Sequence, residues 1–128
     1  MKFTHDYDES SGVCTITVTG EVKRPHDSQE LQQFALCFGK TQGCRKFLFD
    51  MTDAKITGGV TEAYHTGTFQ ADKEHQQIWQ KMALIYTKVT KEHKFMETVA
   101  VNRGYLLKIF GQPDRDDAIR WLTTPMTG

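Results

Sequence analysis

Two carboxylate–imidazole pairs are the first candidates for chemistry, Glu62-Ala63-Tyr64-His65 and Asp72-Lys73-Glu74-His75. At an i,i+3 spacing each pair falls on one helix face, where its two side chains could share a metal ion. A di-metal site of this type draws such motifs from separate helices of a bundle and adds bridging carboxylates. Both motifs here lie on one segment, so no metal is expected, and His75 reads as a hydrogen-bonded histidine on a half-apolar face. Nucleophilic catalysis needs a nucleophile, a base and an orienting group that converge in space. Cys14 and Cys37 lie neither in a Gly-rich elbow nor beside a recognisable His motif. Gly58-Gly59 is too little for a phosphate loop or a dinucleotide fingerprint. The expectation is a chain with no catalytic residue and no cofactor.

Composition narrows the class further. The chain has 128 residues, with 16 Lys+Arg against 16 Asp+Glu. A nucleic-acid binder carries a basic excess or a basic face, and neither shows. With 38% hydrophobic and 25% charged residues, the sequence reads as one soluble domain over 1–128, long enough to bury a core. The first residues are polar with no apolar stretch, so a signal peptide is not expected. Runs such as 82–86 are too short to span a bilayer. Cys14, Cys37 and Cys44 are odd in number and lack a paired spacing, which fits three thiols in a reducing cytoplasm.

The elements that must position any site follow from periodicity. Lys2–Tyr7 and Val13–Thr19 flank the turn-rich Asp8-Glu9-Ser10-Ser11-Gly12, a β-hairpin. Asp27, with Glu30 three residues on, is the expected N-cap of a helix whose stripe is Leu31, Phe34, Ala35 and Phe38 and which Gly43 closes. Phe47-Leu48-Phe49 is a short apolar strand, and Asp50 to Gly59 reads as irregular. Helical spacing runs from Val60 to Ile78, with Gly67 marking a kink or break. A strand at 82–86 precedes a helix capped by Thr90 that buries Phe95, Met96, Val99 and Ala100. A strand over 105–110 precedes a helix capped by Asp114 that buries Ala118, Ile119 and Leu122 with Trp121 beside them. Strands alternating with short helices argue an α/β fold in which strands 46–51, 82–86 and 105–110 run parallel. The expected order is β-β-α-β-α-β-α-β-α, a mostly parallel, mixed five-stranded sheet.

That order and several stretches resemble the STAS domain, the SpoIIAA-like fold of anti-sigma-factor antagonists. Phe47-Leu48-Phe49-Asp50-Met51-Thr52 is similar to the family's central strand, an apolar run ending in Asp, an apolar residue, then Ser or Thr. Val99-Ala100-Val101-Asn102-Arg103-Gly104, Leu107-Lys108-Ile109-Phe110 and Asp117-Ala118-Ile119-Arg120-Trp121-Leu122 resemble the tail of small stand-alone bacterial members. The likeness covers essentially the whole chain in order. It implies a non-enzymatic regulatory module. Phosphorylatable members carry an Asp-Ser-Ser/Thr-Gly motif whose Ser starts the helix after the central strand. Here the matching stretch is Ile56-Thr57-Gly58-Gly59-Val60-Thr61, with no Ser. A helix N-terminus favours phosphate, but Glu62 already places negative charge there, so neither Thr57 nor Thr61 is expected to be phosphorylated.

In open α/β sheets ligands sit outside the carboxyl ends of the strands. Those ends bring Asp53, Thr57, His65 and Lys88 together, with Thr61 as the further hydroxyl of the switch loop. The set is mixed in sign and selects no ligand class, so a protein partner, a small molecule and a second copy of the chain all remain open. The alternative is a carrier that holds an apolar, lipid-like ligand between helices and sheet. Some relatives by fold bind lipids, and Tyr64, Phe69, Trp79 and Met96 would line such a space. An enzyme of unassigned type comes third.

Overall fold

The computed structural model describes residues 1–23, 26–57, 81–102 and 106–124. The strands are β1 (Lys2–Asp8), β2 (Val13–Lys23), β3 (Lys46–Thr57), β4 (Lys81–Tyr86) and β5 (Leu107–Gly111). The helices are α1 (His26–Gln42), α2 (Lys91–Asn102) and α3 (Arg115–Thr123), the last entered through a 3-10 turn at Gln112–Asp114. The helical stripe expected over 60–78, and with it both carboxylate–imidazole pairs, lies outside the described residues.

The five strands among the described residues form one sheet in chain order, β1-β2-β3-β4-β5. β1 pairs antiparallel with β2, and every later neighbour is parallel. The hairpin turn is built by its own side chains. Gly12 takes φ +76°, its N–H bonds Asp8 O at 2.8 Å, and Asp8 Oδ1 accepts from both the N–H and the hydroxyl of Ser10. Gly43, at φ +69°, closes α1 through its N–H to Gly39 O at 2.9 Å, the left-handed stop the sequence predicts.

Each face of the sheet has its own apolar layer. On one face Ile16, Phe47, Met82 and Ile109 are buried with Leu31 and Ala35 of α1 and Met96 and Ala100 of α2. On the other Leu48, Ala83, Ile85 and Phe110 meet Ala118 and Leu122 of α3, with Trp121 against them. β4 is buried at all six positions, as a strand covered on both faces requires.

β3 runs eight residues beyond the apolar triplet the sequence marks, and a bulge explains why. Thr17 pairs with Asp50 but Thr19 pairs with Asp53, so β3 carries one extra residue. The inward set therefore changes phase, from Phe47, Phe49 and Met51 to Ala54 and Ile56, and a period-two pattern breaks there. The bulge's polar groups are satisfied locally. Asp50 Oδ1 accepts from Thr52 N–H at 3.1 Å and Thr52 Oγ1 at 2.7 Å, while Thr87 Oγ1 donates to Thr52 O at 2.8 Å.

Three helical assignments need correction. Asp27 sits inside α1 rather than capping it, and its carboxylate reaches back to Lys23 N–H at 2.9 Å. Phe95 is 37% and Ile119 40% exposed, because Met96 and Ala100 already fill the space under α2, as Ala118 and Leu122 do under α3. α3 is fixed to the sheet at both ends. Arg115 pairs with Asp50, and Lys81 Nζ donates to Trp121 O at 2.6 Å and Thr124 O at 2.8 Å beneath the Trp121 ring. The lysine answers carbonyls that a helix C-terminus leaves without intrahelical donors. At the sheet's far edge Glu97 of α2 accepts from Ile109 N–H of β5 at 3.0 Å.

Candidate functional site

The carboxyl ends of β3 and β4 and the first turn of α2 enclose a cleft of about 280 Å³. Its apolar surface comes from Met51, Ala54 and Ile56 of β3 and Tyr86 of β4, and its polar surface from Thr87, Lys88, Thr90, Glu92 and His93. The bulge places it: the change of phase after Met51 turns Ala54 and Ile56 inward, so β3 continues as an apolar wall past the end of β4.

His93 and Tyr86 form the aromatic side. Their rings stack with centroids 3.7 Å apart and planes 16° from parallel. The imidazole is held in register by a reciprocal cap, in which Thr90 N–H donates to His93 Nδ1 at 3.1 Å and His93 N–H donates to Thr90 Oγ1 at 3.4 Å. This is the arrangement of a capping box with imidazole in the place of the usual carboxylate or amide. An Nδ1 that accepts leaves the ring proton on Nε2. One residue pair thus starts α2 and orients the buried ring that borders the cleft.

On the opposite face, Asp50 joins the bulge to α3. Burial raises the proton affinity of its carboxyl, but the Thr52 hydroxyl and N–H and the Arg115 guanidinium outweigh that, and its pKa lies below the ordinary carboxylate value. Lys81 is lowered from the usual lysine value, first by burial and then by Lys46. Burial pushes the Cys14 thiol up to about 12 and also raises Cys44, so both are held as neutral thiols. Cys37 is exposed on α1.

Of the residues marked in the sequence, Lys88 stands exposed at the rim of the cleft. Thr57 is the last residue of β3 and its hydroxyl donates to Val22 O at 3.4 Å. Asp53 is exposed on β3, level with Thr19, and is not among the lining residues. Thr61 and His65 lie outside the described residues. So do Tyr64, Phe69 and Trp79 of the carrier reading, whose fourth residue, Met96, is 1% exposed in the core. Tyr86 and His93 were missed as site residues. Their signal is faint: a Tyr ending an apolar strand, and a Thr-x-x-His in which His substitutes for the usual capping partner.

No family model and no curated protein matches the chain. Solved structures do. The unphosphorylated form of the anti-sigma factor antagonist SpoIIAA aligns with a TM-score of 0.57 at 9% identity over 93% of this chain and 98% of that one. An uncharacterized DUF3478-family protein with a SpoIIAA-like fold, from Shewanella loihica PV-4, aligns with a TM-score of 0.56 at 14% identity over 94% and 92%. The chain therefore has a SpoIIAA-like α/β fold, the architecture that the residues of the central strand and the tail suggest.

Proposed function

We propose that this chain is a non-enzymatic regulatory module that acts by binding in the cleft at the carboxyl ends of β3 and β4. The observation that carries the reading is the cleft's composition. An apolar wall and a stacked Tyr86–His93 pair meet a rim with two hydroxyls, one ammonium and one carboxylate, the usual mix of a small-ligand site. Its place at the strand ends is where open α/β sheets take ligands. The similarity in fold to an anti-sigma factor antagonist supports a regulatory role exercised by binding. Because Thr57 ends a strand with its hydroxyl turned to Val22 O, the module works in this reading without a phosphate at that residue. The carrier reading draws less support, since Met96 is packed in the core and the cleft has a polar rim.

The test is a two-dimensional amide spectrum titrated with the small-molecule fraction of the native cell. Binding in the cleft shifts Thr87, Lys88, Thr90 and His93 together, and Lys88→Glu weakens the response. Shifts scattered elsewhere, or none, reject the cleft as the binding site. Turnover of a component of the fraction rejects the non-enzymatic part.

A further inference from the structure

β1 is an edge strand of the sheet among the described residues, and five of its seven residues, Lys2, Thr4, His5, Asp6 and Asp8, are exposed. The Asp8 carbonyl turns toward its own hairpin, accepting from Gly12 N–H. By the alternation of an antiparallel ladder, the N–H and C=O groups of Phe3, His5 and Tyr7 point away from β2. Such an edge is a template for another strand unless something blocks it, and the sequence of β1 fits a particular partner.

We propose that β1 pairs antiparallel with β1 of a second copy of this chain, about a two-fold axis at His5. In that register Lys2 faces the other copy's Asp8, Phe3 faces its Tyr7, Thr4 its Asp6 and His5 its His5. All seven residues are used. Each copy's ammonium meets a carboxylate, each aromatic meets an aromatic, and a hydroxyl faces each remaining carboxylate, the cross-strand pairs that stabilise sheets. The contact is self-complementary, as a two-fold interface must be. Neighbouring registers are poorer. A shift of two residues one way sets Asp6 against its own copy, and a shift the other way sets Phe3 against His5 and Tyr7 against Met1, which breaks up the Phe3–Tyr7 pair.

The surroundings admit the pairing. Asp8 uses Oδ1 for Ser10, leaving Oδ2 for Lys2. Hydrogen bonds from Ser10 hold the Asp8 carboxyl below its ordinary value, so it is charged at neutral pH. Phe3, His5 and Tyr7 share one face, where Phe34 and Phe38 of α1 lie 5.0–5.5 Å from them, ring centre to ring centre. Joining two β1 strands makes that row of rings continuous across the axis. α1 itself packs over β2, so at a strand spacing of about 4.8 Å the two α1 axes stand about 14 Å apart, beyond the 8–10 Å of helices in contact.

Sedimentation equilibrium from about 10 μM to about 1 mM, the range of weak protein pairs, tests this. The native chain is expected to approach twice the monomer mass. Lys2→Glu and Asp8→Lys each set like charges together twice and weaken association at least about tenfold. Mixing the two variants restores it, since each new charge then meets its opposite while native Lys2 meets native Asp8. A native chain that stays monomeric, or association that neither variant weakens, overturns the proposal. Should Asp8→Lys fail to fold by circular dichroism, Lys2→Glu and Lys2→Ala decide it. The glutamate must weaken association more than the alanine, and equal effects overturn the register.

Discussion

Thr90 and His93 do two jobs with one pair of hydrogen bonds, and that makes them the informative residues. Replacing Thr90 by Ala removes the cap of α2 and is expected to cost about 1 kcal/mol of stability in urea unfolding. It also takes away the acceptor of His93 N–H and so loosens the reciprocal cap that orients the imidazole, and the His93 ring resonances should shift far more than those of His5. Asp50 makes a separate case. Its folded pKa is depressed, so its stabilising contribution is present above the unfolded carboxylate value of about 3.9 and is lost as pH falls through the folded one. Asp50→Asn should therefore flatten the fall of urea stability on acidification below about pH 4. An unchanged slope would show that Asp50 contributes the same in both states. Asp50 was legible in the sequence as the end of an apolar strand, and Lys88 as a residue of the strand ends. His93 was not, because a histidine three residues after a Thr is only a faint mark of a cap until its Nδ1 is seen to face the backbone.

The elements were legible wherever one pattern held along their length. β4 is a run of apolar residues, α2 begins after its capping Thr90, α3 begins after Asp114, which holds the N-cap position without a side-chain hydrogen bond, and Gly43 ends α1. β3 was cut short because the bulge at Met51 and Thr52 breaks its alternation, and sequence periodicity cannot look past such a change of phase. The same bulge supplies the cleft wall, so the part of the strand that was missed is the part that bears on function. Burial was overstated for Phe95 and Ile119, since a helix held by a narrow stripe leaves its flanking positions in solvent. For α3 the stripe is supplemented by Trp121, which lies over the Lys81 ammonium at 5.2 Å and beside Phe110. Trp121→Ala removes the ring and opens the Lys81 clamp to water. A loss of about 3 kcal/mol is expected, read as a lower urea midpoint. A midpoint unchanged within error would mean that α3 is held by its two ends alone.

Across the whole molecule, the two faces and the two edges of the sheet are unlike. One face carries α1 and α2 and, at its rim, the cleft; the other carries α3, anchored by Arg115 at its start and Lys81 at its end. Among the described residues the edges differ in burial, β1 being mostly exposed and β5 mostly buried, and in one carboxylate. β1 offers its outward backbone groups, whereas on β5 Glu97 already occupies Ile109 N–H. In the language of polymerisation, a unit with two reactive ends makes chains and a unit with one makes pairs and stops. If β1 pairs as proposed, Glu97 gives the β5 end the role of a chain stopper and the molecule a valence of one. Glu97→Ala should raise that valence to two, so that light scattering from a concentrated solution grows beyond the pair. If the solution holds at the pair, the reason that sheet growth ends must be sought in the shape of β5 and not in its charge.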